Sequence, residues 1–149
     1  MQYFKLFTCG LLLCLSLVTD SLNYRDCGSR DVSVMTLRIS SCNNEPCLLV
    51  RGKTVRIEIE FLALNNVDAE ISEIRGSSGH GPPVLQFPEG GICAHLTPPC
   101  PIEKRKFYAL IYRPKVNEKS TPGPQTVRFE LVYRDGAKFM CIEIPVRVA

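Results

Sequence analysis

An all-β fold, an immunoglobulin-like antiparallel sandwich of two sheets and about seven strands, is what this sequence predicts. Three observations predict it. Apolar and polar residues alternate with period two along three long segments. Clusters of Gly, Pro, Asn and Asp separate these and several weaker segments at short intervals. No stretch carries an apolar stripe of helical period and usable length. The chain has no Trp, so it lacks the buried indole around which antibody-type domains are built.

The elements follow in order. Lys5 gives the chain a positive start, and the leucine-rich run 11–18 is apolar but too short to span a bilayer. Thr19 and Ser21 suit a signal peptidase, so residues 1–21 are expected to be a removed leader and 22–149 a single domain. No later stretch is long and apolar enough to hold the chain in a membrane. A weak strand signal covers 32–40. From Lys53, Thr54, Arg56, Glu58 and Glu60 alternate with Val55, Ile57, Ile59 and Phe61. Weaker strand signals lie at 70–75, 84–87 and 107–112. In 126–133, Val127, Phe129, Leu131 and Tyr133 share a face opposite Arg128 and Glu130. At the end, Ile142, Ile144, Val146 and Val148 stand against Glu143 and Arg147. Turn clusters fall at 43–46, 65–66, 76–83, 98–101, 122–124 and 135–136, and Asp135-Gly136 reads as a type I′ hairpin turn joining the last two strands.

Cysteine usage fixes the compartment. Of eight cysteines, Cys9 and Cys14 leave with the leader. Cys27, Cys42, Cys47, Cys93, Cys100 and Cys141 then meet the oxidising environment of an exported chain. Six cysteines admit fifteen pairings, and sequence alone selects none. Cys42 and Cys47 flank a tight turn, and Cys93 and Cys100 flank a Pro-rich loop, so each pair can close locally; that would leave Cys27 for Cys141. Zinc is the competing reading. Neither spacing is the CxxC of zinc ribbons, and no metal is expected.

Other classes are disfavoured. Removing Lys5 and Asp20 with the leader leaves the net charge at +3, an excess too small and scattered for nucleic acid. Lys104-Arg105-Lys106 reads as a solvated strand entrance. The two histidines, His80 and His95, sit in Gly/Pro-rich loops and read as surface residues. Gly76-Ser77-Ser78-Gly79-His80-Gly81 lacks the closing Lys-Ser/Thr of a phosphate loop and runs into Pro82-Pro83 rather than a helix. Nothing positions a nucleophile, base or carboxylate pair, so no catalytic residues, enzyme activity or cofactor are expected.

Several short motifs, weak singly, form a specific set by order and spacing. They are Asp26-Cys27-Gly28-Ser29; Cys42-Asn43-Asn44-Glu45-Pro46-Cys47 followed by Arg51-Gly52; Phe87-Pro88 before Cys93; Cys100-Pro101-Ile102; Tyr108 with Pro114 after it; and Cys141-Ile142-Glu143-Ile144-Pro145-Val146. With these the chain resembles the ML (MD-2-related lipid-recognition) family over essentially all of residues 22–149, most closely its Niemann-Pick type C2 branch of secreted sterol-binding proteins, and is similar to mite group 2 allergens.

The resemblance implies the pairing Cys27–Cys141, Cys42–Cys47 and Cys93–Cys100, and a hydrophobic cavity between the sheets that takes a lipid. Periodicity by itself describes only a filled core. Lined by apolar residues, such a cavity would prefer an apolar guest to ordered water. Carried over by position, Phe87 matches a pocket-mouth phenylalanine, Val116 a pocket valine and Ile144 an inward isoleucine. Phe129 stands where the sterol-binding branch has a tryptophan. Val55, Ile57 and Ile59 occupy cavity-facing strand positions, and Leu131 and Val146 share the inward faces. The departure is at Lys119-Ser120-Thr121-Pro122, where sterol-binding members place a tyrosine before the proline; the expected entrance is wider and more polar, which brings in fatty acids beside sterols. The chain has no Asn-x-Ser/Thr glycosylation site.

The leading expectation is therefore a monomeric, secreted lipid carrier, in extracellular fluid or the lysosomal lumen. It would bind a sterol or another lipid, hand it to a membrane surface or membrane receptor, and bind no nucleic acid. Innate-immune recognition of microbial lipid, as in the MD-2-like branch, and a purely structural secreted sandwich are the alternatives.

Overall fold

The computed structural model describes residues 21–43, 45–67, 71–78, 81–87, 91–133 and 135–149, with the backbone alone for 71–78. Nearly all of the leader, together with His80 and Pro88, lies outside the described residues. The strands are β1 Arg25–Asp26, β2 Val32–Ile39, β3 Cys47–Leu49, β4 Ile57–Ala63, β5 Ile71–Ser78, β6 Leu85–Gln86, β7 Leu96–Thr97, β8 Phe107–Tyr112, β9 Lys115–Val116, β10 Gly123–Tyr133 and β11 Lys138–Val148; a 3₁₀ turn, Ile92–His95, precedes β7. Each of the seven expected strands is present. The additional ones, β1, β3, β7 and β9, have only two or three residues, too few for a period-2 pattern to register.

Two sheets face each other. One runs β1-β11-β10-β5, with β3 beside β11 on the same edge as β1; the other runs β2-β4-β8-β7, and β6 pairs with β9 in a separate ribbon. Alternation decides which side chains go inside. Along β4, Ile57, Ile59, Phe61 and Ala63 are buried while Glu58, Glu60 and Leu62 are not fully covered. On β10, Val127, Phe129 and Leu131 are buried between partly exposed Arg128 and Glu130. On β11 strict alternation holds only toward the end, for Ile144, Val146 and Val148, because Phe139 to Glu143 are covered on both faces. A register shift there leaves Phe139 without a partner opposite. Its ring meets Phe61 of the other sheet edge-on at 5.9 Å and closes that end of the core.

Two details differ from the sequence reading. The sandwich is antiparallel except that β3 runs parallel to β11 through Cys47↔Val146 and Leu49↔Val148. The final hairpin is not type I′. Tyr133 donates its N–H to Ala137 O and Gly136 donates to Tyr133 O. Of the two expected central residues, Asp135 and Gly136, Gly136 alone has positive φ, +83°, whereas type I′ requires it at both.

All three disulfides form: Cys27–Cys141, Cys42–Cys47 and Cys93–Cys100. The Asp26–Ser29 motif explains itself around the first. Asp26 Oδ1 accepts the Gly28 and Ser29 amides, and Gly28 takes φ +118° to make that turn. Cys27 donates to Cys141 O at 2.9 Å, and the Cys141 amide donates to Ser29 Oγ at 3.0 Å. The second bridge spans the point where the chain passes from β2, in one sheet, to β3, in the other. The same edge is joined by Leu22, whose N–H reaches Leu37 O, and by Tyr24, whose hydroxyl donates to Val34 O at 2.8 Å.

Glu143 is buried between two cations. Arg25 and Arg128 both donate to its carboxylate, Arg128 through Nε at 2.9 Å. These bonds, Arg25's first, hold its carboxyl below the usual value of 4.5. A carboxyl depressed in the folded state contributes stability above its unfolded pKa and loses it as pH falls through the folded value. Glu143→Gln should therefore be less stable than the parent at neutral pH, with the difference closing as pH drops below about 4.5. Denaturation midpoints compared from neutral to acid check this; a gap independent of pH would contradict it.

Candidate functional site

The expected site residues converge between the sheets. Val55, just ahead of β4, with Ile57 and Ile59 on it, lies on one side; Phe129, Leu131, Ile144 and Val146 lie on the other, and Val116 of β9 closes in beside them. All are buried, none more than 4% exposed. A lipid-sized space open to water would expose its lining, so these side chains are closed off from solvent in this state. The surface hollows, such as the one between Leu22, Arg38, Cys42 and Arg56, lie outside it.

Phe87 differs from the rest. It follows β6, is only partly buried, and packs against the core from its edge. Its ring is 5.3 Å from Phe129 and 5.8 Å from Tyr112, both edge-on. Tyr112, last residue of β8 and opposite Ile57, reaches across the gap to Phe129, 6.1 Å away. His95, at the end of the 3₁₀ turn, lies 4.4 Å from Tyr112. These four rings close the end of the layer away from Phe61 and Phe139, with Phe87 and His95 on its solvent side.

Sequence reasoning missed two members of this cluster. His95 reads as a surface loop residue, yet the Cys93–Cys100 loop folds along β8, where β7 pairs Leu96 with Leu110, and sets the imidazole on Tyr112. Tyr112 alternates with Tyr108 and Leu110, which assigns it inward, but no local signal shows what its hydroxyl meets. That oxygen is buried and unbonded. Burial drives its pKa far above that of a free phenol, so it stays an O–H donor.

The expected wide, polar mouth at Lys119-Ser120-Thr121 is corrected. Ser120 is buried, with its amide on Asn117 O at 3.2 Å, while Thr121 is exposed. The reason is Asn117, which anchors this turn: its side chain donates to Pro83 O and its amide to Val84 O. A tyrosine in place of Ser120 would have to displace packed neighbours rather than fill an opening.

Comparisons with known proteins agree with this geometry. The family model described as ML domain matches residues 21–148. The chain is 26% identical over 138 residues to the NPC intracellular cholesterol transporter 2 of Bos taurus, covering 93% of this chain and 92% of the relative. It is 27% identical over 145 residues to homolog a of that transporter from Drosophila melanogaster, covering 93% and 97%. It is 27% identical over 126 residues to the mite group 2 allergen Der p 2 of Dermatophagoides pteronyssinus, covering 78% and 84%. Among solved structures, a Niemann-Pick type C2 protein from Japanese carpenter ant superposes with a TM-score of 0.63 at 17% identity, over 86% of this chain and all of that one, which shows the same fold. The curated relatives are named as transporters or as an allergen. A sandwich with this bridge pattern, matched along nearly its whole length, belongs to the ML-domain family.

Proposed function

We propose that the chain is a secreted, monomeric carrier that takes a sterol or fatty acid between its sheets and hands it to a membrane or receptor. The observation that carries this reading is the continuous apolar layer built by both sheets and ending at the partly exposed ring of Phe87. Relatives named as cholesterol transporters support a sterol among the ligands, and the three disulfides suit an extracellular or lysosomal compartment. A sterol of roughly 28 heavy atoms, at about 0.3 kcal/mol each, would bind with order 8 kcal/mol, near micromolar. Loading parts the sheets at the Phe87 end and replaces contacts among side chains with contacts to the lipid.

Lipids extracted from the purified protein and identified by mass spectrometry test the reading directly. A host sterol or fatty acid supports it, and a protein that neither carries nor takes up lipid contradicts it. Phe87→Ala should weaken a fluorescent sterol and a fluorescent fatty acid alike, by about fivefold or more, because it removes an aromatic contact and opens the end of the layer to water. Unchanged titrations for both would mean the lipid does not enter there. One observation favours the second reading, recognition of microbial lipid with docking to a receptor. Phe107 is 64% exposed on the outward face of β8, beside Leu62, and apolar surface of this kind suits a protein partner. A lipid-A-like molecule in the extract would favour it.

A further inference from the structure

Among the described residues, two buried side-chain oxygens have no hydrogen-bond partner, Tyr112 Oη and Ser120 Oγ. The tyrosine is the more telling. A hydrogen bond left unmade in an apolar interior costs stability, and phenylalanine would fill the same volume without that cost. The hydroxyl belongs to a ring cluster that joins both sheets at the Phe87 end, between Phe129 inside and partly exposed Phe87 and His95. An unpaired donor at the proposed entrance of a lipid site, kept protonated by its burial, has the chemistry to meet an oxygen on whatever enters.

We propose that Tyr112 Oη is the polar contact of the carried lipid. It donates a hydrogen bond to a ligand oxygen drawn in past Phe87, so the site selects a lipid bearing a hydrogen-bond acceptor over a hydrocarbon of the same shape. The proposal rests on the carrier reading and adds to it the group that is recognised and the residue that recognises it. A fatty-acid carboxylate and a sterol hydroxyl both accept from a phenol, and the flanking rings of Phe87 and Phe129 accommodate the apolar remainder of either.

Two matched pairs separate these sources: palmitic acid against hexadecane, and cholesterol against cholestane. Each competes with N-phenyl-1-naphthylamine on the delipidated full-length domain, parent and Tyr112→Phe. The parent should prefer the oxygenated member in at least one pair. Tyr112→Phe should reduce that preference about fivefold to tenfold, the worth of one hydrogen bond, while leaving the hydrocarbon within about twofold. The pair that responds identifies the oxygen. Without lipid, Tyr112→Phe should melt about 2–8 °C higher, because it removes an unpaired buried group. Equal preferences in both proteins for both pairs overturn the proposal, as does a lower melting temperature, which would give the hydroxyl a structural partner. If the parent binds none of the four ligands, the carrier reading fails and takes this one with it, a result distinct from binding that ignores the tyrosine.

Discussion

The double substitution Cys27→Ala, Cys141→Ala is expected to lower stability by about 2–5 kcal/mol and to reduce the yield of folded protein sharply. The bridge closes a separation of 114 residues, so in the chain-entropy model it removes more freedom from the unfolded chain than either local bridge. A loop of that order is worth about 4–5 kcal/mol in this account. The native state keeps part of the junction without the sulfurs, through the β1–β11 register and the Cys27 and Ser29 bonds to residue 141. Those bonds allow the oxidised-like geometry to survive, so the loss should appear in the denaturation midpoint rather than as a rearranged fold. Urea titration of both proteins measures it, each extrapolated with its own slope, since the unbridged unfolded chain exposes more surface. A difference under about 0.5 kcal/mol would mean the unfolded chain is already compact enough that the bridge constrains little.

Phe129→Ala should cost the lipid-free protein about 3–5 kcal/mol, the usual range for truncating a buried phenylalanine in a closed core. The ring is 2% exposed and lies between Phe87 and Tyr112, so neighbours on both sides lose contacts. The distinctive part is the response to lipid. A hole lined by apolar groups stays dry and favours an apolar guest. Saturating fatty acid should therefore restore more stability to Phe129→Ala than it adds to the parent, as read from paired thermal unfolding curves. A loss that lipid does not change would mean the layer never admits a ligand, and would favour the purely structural sandwich.

The inward faces were legible because they rest on period two. Ile57, Ile59, Phe129, Ile144 and Val146 each lie between neighbours that are charged or exposed, Leu131 follows Glu130, and each is buried. The short strands were not legible. β3 is three residues paired in parallel to a strand almost a hundred positions away, and no turn signal marks such a partner. The same holds at the site. Phe87 came from the motif around it, whereas His95 joins Tyr112 only because a bridged loop folds back along β8. Ser120 misled for a related reason: its local sequence is polar, and its burial comes from Asn117 reaching Pro83 and Val84. What local pattern encodes is which side a residue faces. What it does not encode is which distant segment arrives to meet it.

The Cys42–Cys47 crossing has a mechanical consequence. It sews the β2 edge of one sheet to the β3 edge of the other, and Leu22 and Tyr24 add stitches along the same seam. The opposite margin, toward β8, is held by the packing of Phe87 and His95 against Tyr112 and Phe129. A body fastened along one side and latched by soft contacts along the other does not swell evenly. Parted by a guest, it would gape like a purse, widest at the clasp and not at all at the hem. If the layer takes a lipid as proposed, guests of different bulk would be accommodated by how far the clasp swings rather than by repacking throughout, and a single seam of covalent and main-chain bonds would let one interior serve molecules of unequal girth.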